Sequence, residues 1–96
     1  MLYALICTDK PNSTELRTKV RPDHLAHLDA LGDKLKFAGP FVNDDGVSIG
    51  TLAMIEAADR AAAEAIAGTD PYSKAGLFAS VEVRAWKWVL KNPEVA

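Results

Sequence analysis

The sequence predicts an α+β domain made of one antiparallel sheet with two helices on one of its faces. Four segments of strand length alternate with two helical patterns in the order βαββαβ. The first of these segments is apolar throughout, which is typical of a central strand covered on both sides. The last alternates apolar with polar residues, which is typical of a strand whose two faces meet different surroundings.

The first strand is predicted from Met1 to Thr8, and the turn-like segment from Asp9 to Asn12 closes it. Asn12 and Glu15 have the spacing of a capping box, in which the first side chain caps a helix and the second reaches back to it. We therefore expect a helix to begin at Asn12.

Pro22 interrupts this helical pattern, because proline lacks the backbone N–H that a helix interior uses. A renewed helix is predicted from about Pro22 to Lys34. One narrow stripe of the helix is apolar except for a histidine, and it contains Val20, His24, Leu28, Leu31 and Leu35.

The second strand is predicted from Lys36 to Val42, interrupted or ended near Gly39 and Pro40. The segment from Asn43 to Gly46 carries the Asp-Gly signal of a tight hairpin. A third strand follows from Ser48 to Glu56.

The second helix is predicted from Asp59 to Ala67, an alanine-rich segment that Gly68 closes. Asp70 followed by Pro71 is typical of a helix start, with aspartate as the cap and proline at the first helical position. The last strand is predicted from Phe78 to Leu90.

The two faces of the last strand differ. One side carries Val81, Val83, Ala85 and Val89, which we expect under the helices, and the other carries Glu82, Arg84, Trp86 and Trp88. The element order matches the ferredoxin-like fold, a βαββαβ sandwich whose second sheet face is open. Exposed tryptophans on that face favour a homodimer formed through the sheet, whose interface would also enclose a pocket.

Composition excludes several classes of protein. The 96 residues, taken as one domain from 1 to 96, include 11 basic and 13 acidic side chains and are 49% hydrophobic. Slight acidity without a basic cluster argues against nucleic acid as a partner. Because no apolar run reaches the roughly 18 residues of a spanning helix, we expect no membrane partner. With one cysteine and no signal peptide, the expected location is the cytoplasm.

His24 is the first candidate for chemistry. The dipole of the renewed helix and the apolar neighbours both disfavour a charged imidazole, so His24 would be able to accept a proton near neutral pH. The alternative is a packed histidine satisfied by a backbone carbonyl. A metal site formed with His27 would need further ligands, which the sequence does not provide nearby.

Asp70 is the second candidate, because a capping aspartate is a fixed acceptor that is also able to orient His24. It is equally able to serve as a cap alone. Cys7 lies in an apolar strand and is predicted to be an inert buried thiol. Glycine permits close approach of a ligand to backbone N–H groups, so Gly39 or Gly50 would suit a developing oxyanion.

Several segments together resemble the YciI-like family. They are Leu2-Tyr3, Arg21-Pro22-Asp23-His24-Leu25, Ala38-Gly39-Pro40, Gly50-Thr51, Asp70-Pro71-Tyr72, Ala75-Gly76-Leu77 and the aromatic-rich last strand. The resemblance implies a ferredoxin-like fold of the dimeric α/β-barrel type, related to muconolactone isomerase-like proteins. It also implies an active site centred on His24 and Asp70.

Relatives of this family include dehydrochlorinases or lyases that act on hydroxylated aromatic compounds without a metal or organic cofactor. The segment from Phe41 to Val47 is shorter than the corresponding loop of many relatives, so their substrates do not transfer directly. We expect the ligand to contact Gly39, Pro40, Gly50 and Tyr72, and Trp86 is expected either to stack on it or to pack in the dimer interface.

The sequence thus supports two hypotheses of function. One is a cofactor-independent enzyme, of lyase or isomerase type, in which His24 and Asp70 transfer a proton on a small hydroxylated aromatic or enol-type molecule. The other is a non-catalytic dimeric module that binds a small ligand, with the same two residues serving as packing and capping groups.

Overall fold

The fold is a four-stranded antiparallel sheet with its helices on one face, and a computed structural model describes residues 1–94 of it. The elements are β1 (Leu2–Asp9), α1 (Thr14–Ala30), β2 (Leu35–Val42), β3 (Ser48–Glu56), α2 (Arg60–Thr69), α3 (Pro71–Lys74) and β4 (Phe78–Trp86). The strand order β2-β3-β1-β4 confirms the predicted ferredoxin-like α+β fold. The last two residues of the predicted domain, 95–96, lie outside the described residues.

The core lies between the sheet and the helices. Tyr3, Leu5 and Cys7 are on the helix side of β1 and are at most 6% exposed. They pack in one cluster with Ala53, Ile55, Ala57, Ala63 and Ala67. The small alanines of α2 let that helix approach the sheet closely, so the larger side chains of β1 and β3 fill the space.

The opposite face of the sheet carries an aromatic cluster. The ring of Phe37 lies 6.1 Å from that of Trp86 and 5.2 Å from that of Trp88, both edge to face. Beyond Trp86 the chain leaves the sheet, and Trp88 donates its indole N–H to the carbonyl of Leu90. The predicted extension of the last strand to Leu90 is therefore wrong, because Trp88 packs on Phe37 instead of continuing the ladder.

Helix α1 is continuous, and the predicted interruption at Pro22 is wrong. Proline removes one backbone donor, but its fixed φ suits a helix, and the buried side chains of Arg17, His24 and Leu28 hold both halves against the rest of the domain. The predicted capping box is also wrong. Ser13 is the N-cap residue and makes no side-chain cap bond, while Asn12 adopts a left-handed φ of 58°.

Strand β2 runs through Gly39 and Pro40 without a break. It is an edge strand, so the missing N–H of proline need not cost a ladder bond. The predicted hairpin forms, but Asp45 and Gly46 are not the two central residues of its turn. The turn runs from Asn43 to Gly46, whose N–H donates to the carbonyl of Asn43 and whose φ is 78°. The side chain of Asn43 accepts the N–H groups of Asp45 and Val47. Across residues 1–94, none of the helices combines the length and apolar composition needed to cross a lipid bilayer.

Candidate active site

His24 and Asp70 lie in direct contact. Nδ1 of His24 is 3.0 Å from Oδ1 and 2.9 Å from Oδ2 of the Asp70 carboxylate. The two side chains are only 7% and 11% exposed. The pair joins the middle of α1 to the start of α3, which are 46 residues apart in the chain.

Asp70 is fixed by its position before a helix. It is the N-cap of α3, and its Oδ1 accepts the backbone N–H of Tyr72 at 2.9 Å, while Pro71 occupies the first turn. An ionised carboxylate only accepts hydrogen bonds, so the arrangement assigns the imidazole hydrogen to Nδ1 of His24. In the neutral imidazole, Nε2 then carries the lone pair that is required for accepting a proton.

Tyr72 packs against the imidazole. The rings of Tyr72 and His24 are stacked with their centroids 4.0 Å apart and an interplanar angle of 16°. Phe78 meets the tyrosine ring edge to face at 5.9 Å. Burial raises the pKa of Tyr72, so its hydroxyl stays protonated at neutral pH. These contacts restrict rotation of the imidazole and complement its hydrogen bond to Asp70.

A buried ion pair lies beside this group. Arg17 donates through one terminal nitrogen to both oxygens of Asp9, at 3.2 and 3.1 Å. Its other terminal nitrogen donates to the carbonyl of Gly50 and to the hydroxyl of Thr51, both at 2.8 Å. The ion pair therefore ties α1 to both central strands of the sheet.

Sequence reasoning did not identify Arg17, because arginine is usually exposed. The available signal is its position seven residues before His24, on the same side of α1. Its guanidinium carbon also lies 4.8 Å from the centre of the Tyr72 ring, in the range of a cation–π contact. Burial raises the pKa of Asp9, and Arg17 opposes that rise.

A pocket of about 370 Å³ opens beside His24. Residues of α1 form one wall, residues of β2 and β3 form the other, and Tyr72 also contacts the space. Its volume lies within the roughly 300–1,000 Å³ of small-molecule sites. Of the expected ligand contacts, Gly39 and Pro40 line this pocket together with Tyr72.

Gly50 and Trp86 do not line it. A Cβ at Gly50 would lie 2.5 Å from the carbonyl oxygen of Cys7, so glycine is required there by the close approach of β1 and β3. Trp86 is on the opposite face of the sheet, in the aromatic cluster with Phe37. The pocket lies on the helix side of the sheet rather than on the face that we expected to border it.

Cys7 and His27 lie outside this arrangement. Cys7 is 5% exposed, and burial raises the pKa of its thiol to about 12, which makes it a poor nucleophile at neutral pH. Among residues 1–94, no group of three or more His, Cys, Asp or Glu side chains is placed to hold a metal ion.

The fold and the site define a class of protein: a small ferredoxin-like domain with a buried His–Asp pair at the edge of a pocket. The family model described as the YCII-related domain matches residues 1–87, and the chain belongs to that family. It is 40% identical to the protein YciI of Escherichia coli O6:H1 over 97 aligned positions, which cover 93% of this chain and 99% of the relative.

Two solved structures extend the comparison. The 5-chloro-2-hydroxyhydroquinone dehydrochlorinase TftG from Burkholderia phenoliruptrix, in complex with 2,5-dihydroxybenzoquinone, is similar with a TM-score of 0.84 and 33% identity. The match covers 91% of this chain and 94% of TftG. A NIPSNAP family protein from Agrobacterium tumefaciens shares the fold alone, with a TM-score of 0.58 and 19% identity over 97% and 96% of the two chains.

Proposed function

We propose that this protein is a cofactor-independent enzyme that transfers a proton on a small hydroxylated aromatic or enol-type molecule. The observation that carries the proposal is the buried contact between His24 and Asp70 at 2.9 Å, with His24 lining a pocket of ligand size. In this role Nε2 of His24 removes the proton. Asp70 holds the hydrogen on Nδ1 and stabilises the imidazolium that forms.

The chemistry of a single base limits the reaction. General acid–base catalysis by one side chain contributes typically about 10²- to 10⁴-fold to the rate. Such a gain suits a substrate whose proton is already acidic, such as a hydroxylated ring or an enol, better than hydrolysis of a stable bond. An elimination or an isomerisation of an activated molecule fits this limit.

Similarity to TftG supports an elimination. Loss of HCl from a chlorinated hydroxyhydroquinone transfers one proton to a base and releases chloride with its bonding electron pair. The atoms and electrons balance without an oxidant or a reductant. The same base would also serve an enol isomerisation, in which the proton returns to another carbon.

A first experiment uses the two histidines of α1. Purified protein is incubated with 5-chloro-2-hydroxyhydroquinone, chloride release is measured, and uptake of solvent deuterium by hydroxyquinones provides a second readout. The variant His24→Gln is expected to lose about 100-fold or more in kcat, whereas the control His27→Gln, outside the contact with Asp70, keeps its rate. Full turnover by His24→Gln would refute the proposal, and binding without turnover in the wild type would favour the non-catalytic module.

A second experiment compares two capping aspartates, Asp59 and Asp70, to distinguish a catalytic role of Asp70 from a purely structural one. Asp59 caps α2 by accepting the N–H of Ala62 at 2.8 Å, much as Asp70 caps α3. Both Asp→Asn variants keep a capping oxygen. Asp59→Asn is expected to lose at most about 1 kcal/mol of stability, and Asp70→Asn more, because its buried contact with Nδ1 of His24 changes as well. Only Asp70→Asn places an amide donor against Nδ1, so only that variant should lose kcat by about 100-fold and shift the imidazole ¹⁵N signals. Equal kcat values for the two variants would contradict the role of Asp70.

A further inference from the structure

The pocket beside His24 has a charge pattern that the proton-transfer mechanism does not use. Besides His24, the pocket is lined by two positively charged side chains, those of Arg17 and Arg21. No aspartate or glutamate is among its lining residues in the described part of the chain. Asp9 and Asp70, the nearby carboxylates, each lie against a partner, Arg17 and His24 respectively.

Arg17 is already committed to other groups. Its two terminal nitrogens donate to the Asp9 carboxylate, the carbonyl of Gly50 and the hydroxyl of Thr51. Its charge is balanced by a carboxylate at 3.1 Å, and its side chain is 10% exposed. A ligand would have to displace several buried hydrogen bonds to use this guanidinium.

Arg21 is in the opposite situation. Within residues 1–94 it takes part in none of the ion pairs, and its side chain makes no hydrogen bond to the protein. It is exposed at the rim of the pocket, one helical turn before His24. Residues three apart on a helix have Cβ atoms about 5–6 Å apart, so both side chains reach the same ligand. Both arginines also oppose the effect of burial on the pKa of Tyr72, which places positive charge close to that ring.

We propose that the ligand of this pocket is a small organic anion and that Arg21 recognises its negative charge. The inference rests on the proposed function, since it assigns the charge of the molecule on which His24 acts. A guanidinium presents paired donors that match a carboxylate, and it also donates to a phenolate or enolate oxygen. The ionised group of the ligand contacts Arg21 while the acidic proton faces Nε2 of His24.

The charge assignment explains why Arg21, at the rim, has no partner among residues 1–94. An ion pair between Arg21 and a neighbouring carboxylate would compete with the ligand, and the described residues show none. Arg21 is solvent-accessible, so its pairing with a ligand avoids most of the desolvation cost of a buried ion pair. The pocket therefore selects by charge at the rim and performs chemistry at the buried histidine.

The experiment compares 4-hydroxybenzoate with 4-hydroxybenzamide, which have the same ring and hydroxyl and differ in charge. Binding to the wild type, Arg21→Ala, Arg21→Lys and Lys19→Ala is measured by NMR titration in the absence of turnover. Lys19 is the matched control because it is an exposed cation on the same helix and is not among the pocket lining residues.

We expect the wild type to bind the benzoate about tenfold more tightly than the amide, in line with a hydrogen bond to a charged group. Arg21→Ala should abolish this preference, Arg21→Lys should keep part of it, and Lys19→Ala should keep all of it. Added salt should weaken binding of the benzoate alone. Equal Kd values for the two probes in the wild type, an unchanged preference in Arg21→Ala, or no binding of the benzoate would each overturn the proposal.

The outcome is separable from that of the proton-transfer experiments. His24→Gln is expected to keep the preference for the benzoate, because the charge is recognised by Arg21. A wild type that turns substrate over but binds both probes equally refutes the role of Arg21 alone. A wild type that prefers the anion but shows no turnover refutes the enzyme and leaves an anion-binding module.

Discussion

The Asp9–Arg17 pair is a buried charged contact beside the His24–Asp70 pair of the candidate site. The two side chains are 5% and 10% exposed, so removing one leaves the other charged group without its partner away from water. Such a loss costs about 3–5 kcal/mol for a buried pair. We expect Arg17→Met to lose at least about 3 kcal/mol near neutral pH, and the double variant Asp9→Asn, Arg17→Met to recover part of it.

This loss should depend on pH in a definite direction. Burial raises the pKa of Asp9 in the folded state, and Arg17 opposes the rise. A carboxyl group whose pKa is higher in the folded than in the unfolded protein stabilises the folded state at pH values below the unfolded pKa. That stabilisation is lost as the pH rises through the pKa of the folded state. Without Arg17 the pKa of Asp9 rises further, so the deficit of Arg17→Met is smaller at about pH 4.5 than at about pH 7.5.

Urea unfolding at the two pH values measures the deficit directly. The control Lys19→Met removes an exposed cation from the same helix and should change stability by less than about 0.5 kcal/mol at either pH. A deficit for Arg17→Met that is equal at both pH values, or larger in acid, would show that Asp9 is not the group left uncompensated.

His24 and Asp70 could be named from the sequence because each has a local signal. One is a histidine inside an apolar stripe, and the other is an aspartate before a proline. That the two side chains meet depends on the packing of α1 against α3, which no local pattern encodes. The residues alone left their contact as one of two alternatives, and the family resemblance favoured it. Arg17 was missed because its burial depends on Asp9, a residue whose sequence context indicates a turn.

β1 and β3 approach each other so closely at Gly50 that there is no room for a side chain at this position. A Cβ there would lie 2.5 Å from the carbonyl oxygen of Cys7 and 3.2 Å from the ring of Phe41, whereas a Cβ at Gly39 would have no heavy atom within 4 Å. Gly50→Ala is expected to cost about 1–3 kcal/mol through overpacking of the central ladder. Gly39→Ala, on the neighbouring strand, should be neutral or slightly stabilising.

The midpoints of urea or thermal unfolding compare the two variants. The backbone carbonyl of Gly50 accepts a hydrogen bond from the Arg17 side chain, so a backbone shift at Gly50 would also disturb the ion pair of Arg17 with Asp9. Equal stability of Gly50→Ala and Gly39→Ala would mean that the strands move apart without cost. Close packing would then not explain why residue 50 is a glycine.

Strands were predicted well from the sequence, and helix boundaries less well. β1 and β3 are apolar runs of strand length bounded by turn residues, and their bounds agree with the prediction to within about one residue. α1 passes through Pro22 because tertiary contacts on both sides outweigh one lost hydrogen bond. The end of β4 is set by Trp88 packing on Phe37, a long-range contact that the alternating pattern does not contain.

The candidate pocket and the expected dimer interface lie on opposite faces of the sheet. The pocket is on the helix side, between α1 and the strands β2 and β3. The other side exposes Phe37, Phe41 and Trp86 at 38–40% each, on a face that no helix of the described chain covers. Large apolar side chains grouped on one face are typical of an interaction surface, so we expect two copies to pack through this face.

Two substitutions of matched exposure test this assembly. Phe41 and Val81 are both 40% exposed, but the strand register places Phe41 on the open face and Val81 on the helix side. Sedimentation at micromolar concentration should show a dimer for the wild type and for Val81→Glu, and a monomer for Phe41→Glu, because a carboxylate on each copy would be desolvated in the interface. A monomeric wild type, or a dimer that Phe41→Glu leaves intact, would rule out the open face as the interface. Since the described lining residues lie on the helix side of the sheet and the expected interface is the other face, the Phe41→Glu monomer should still bind 4-hydroxybenzoate. Loss of binding on dissociation would show that the second copy is needed to hold the site in shape.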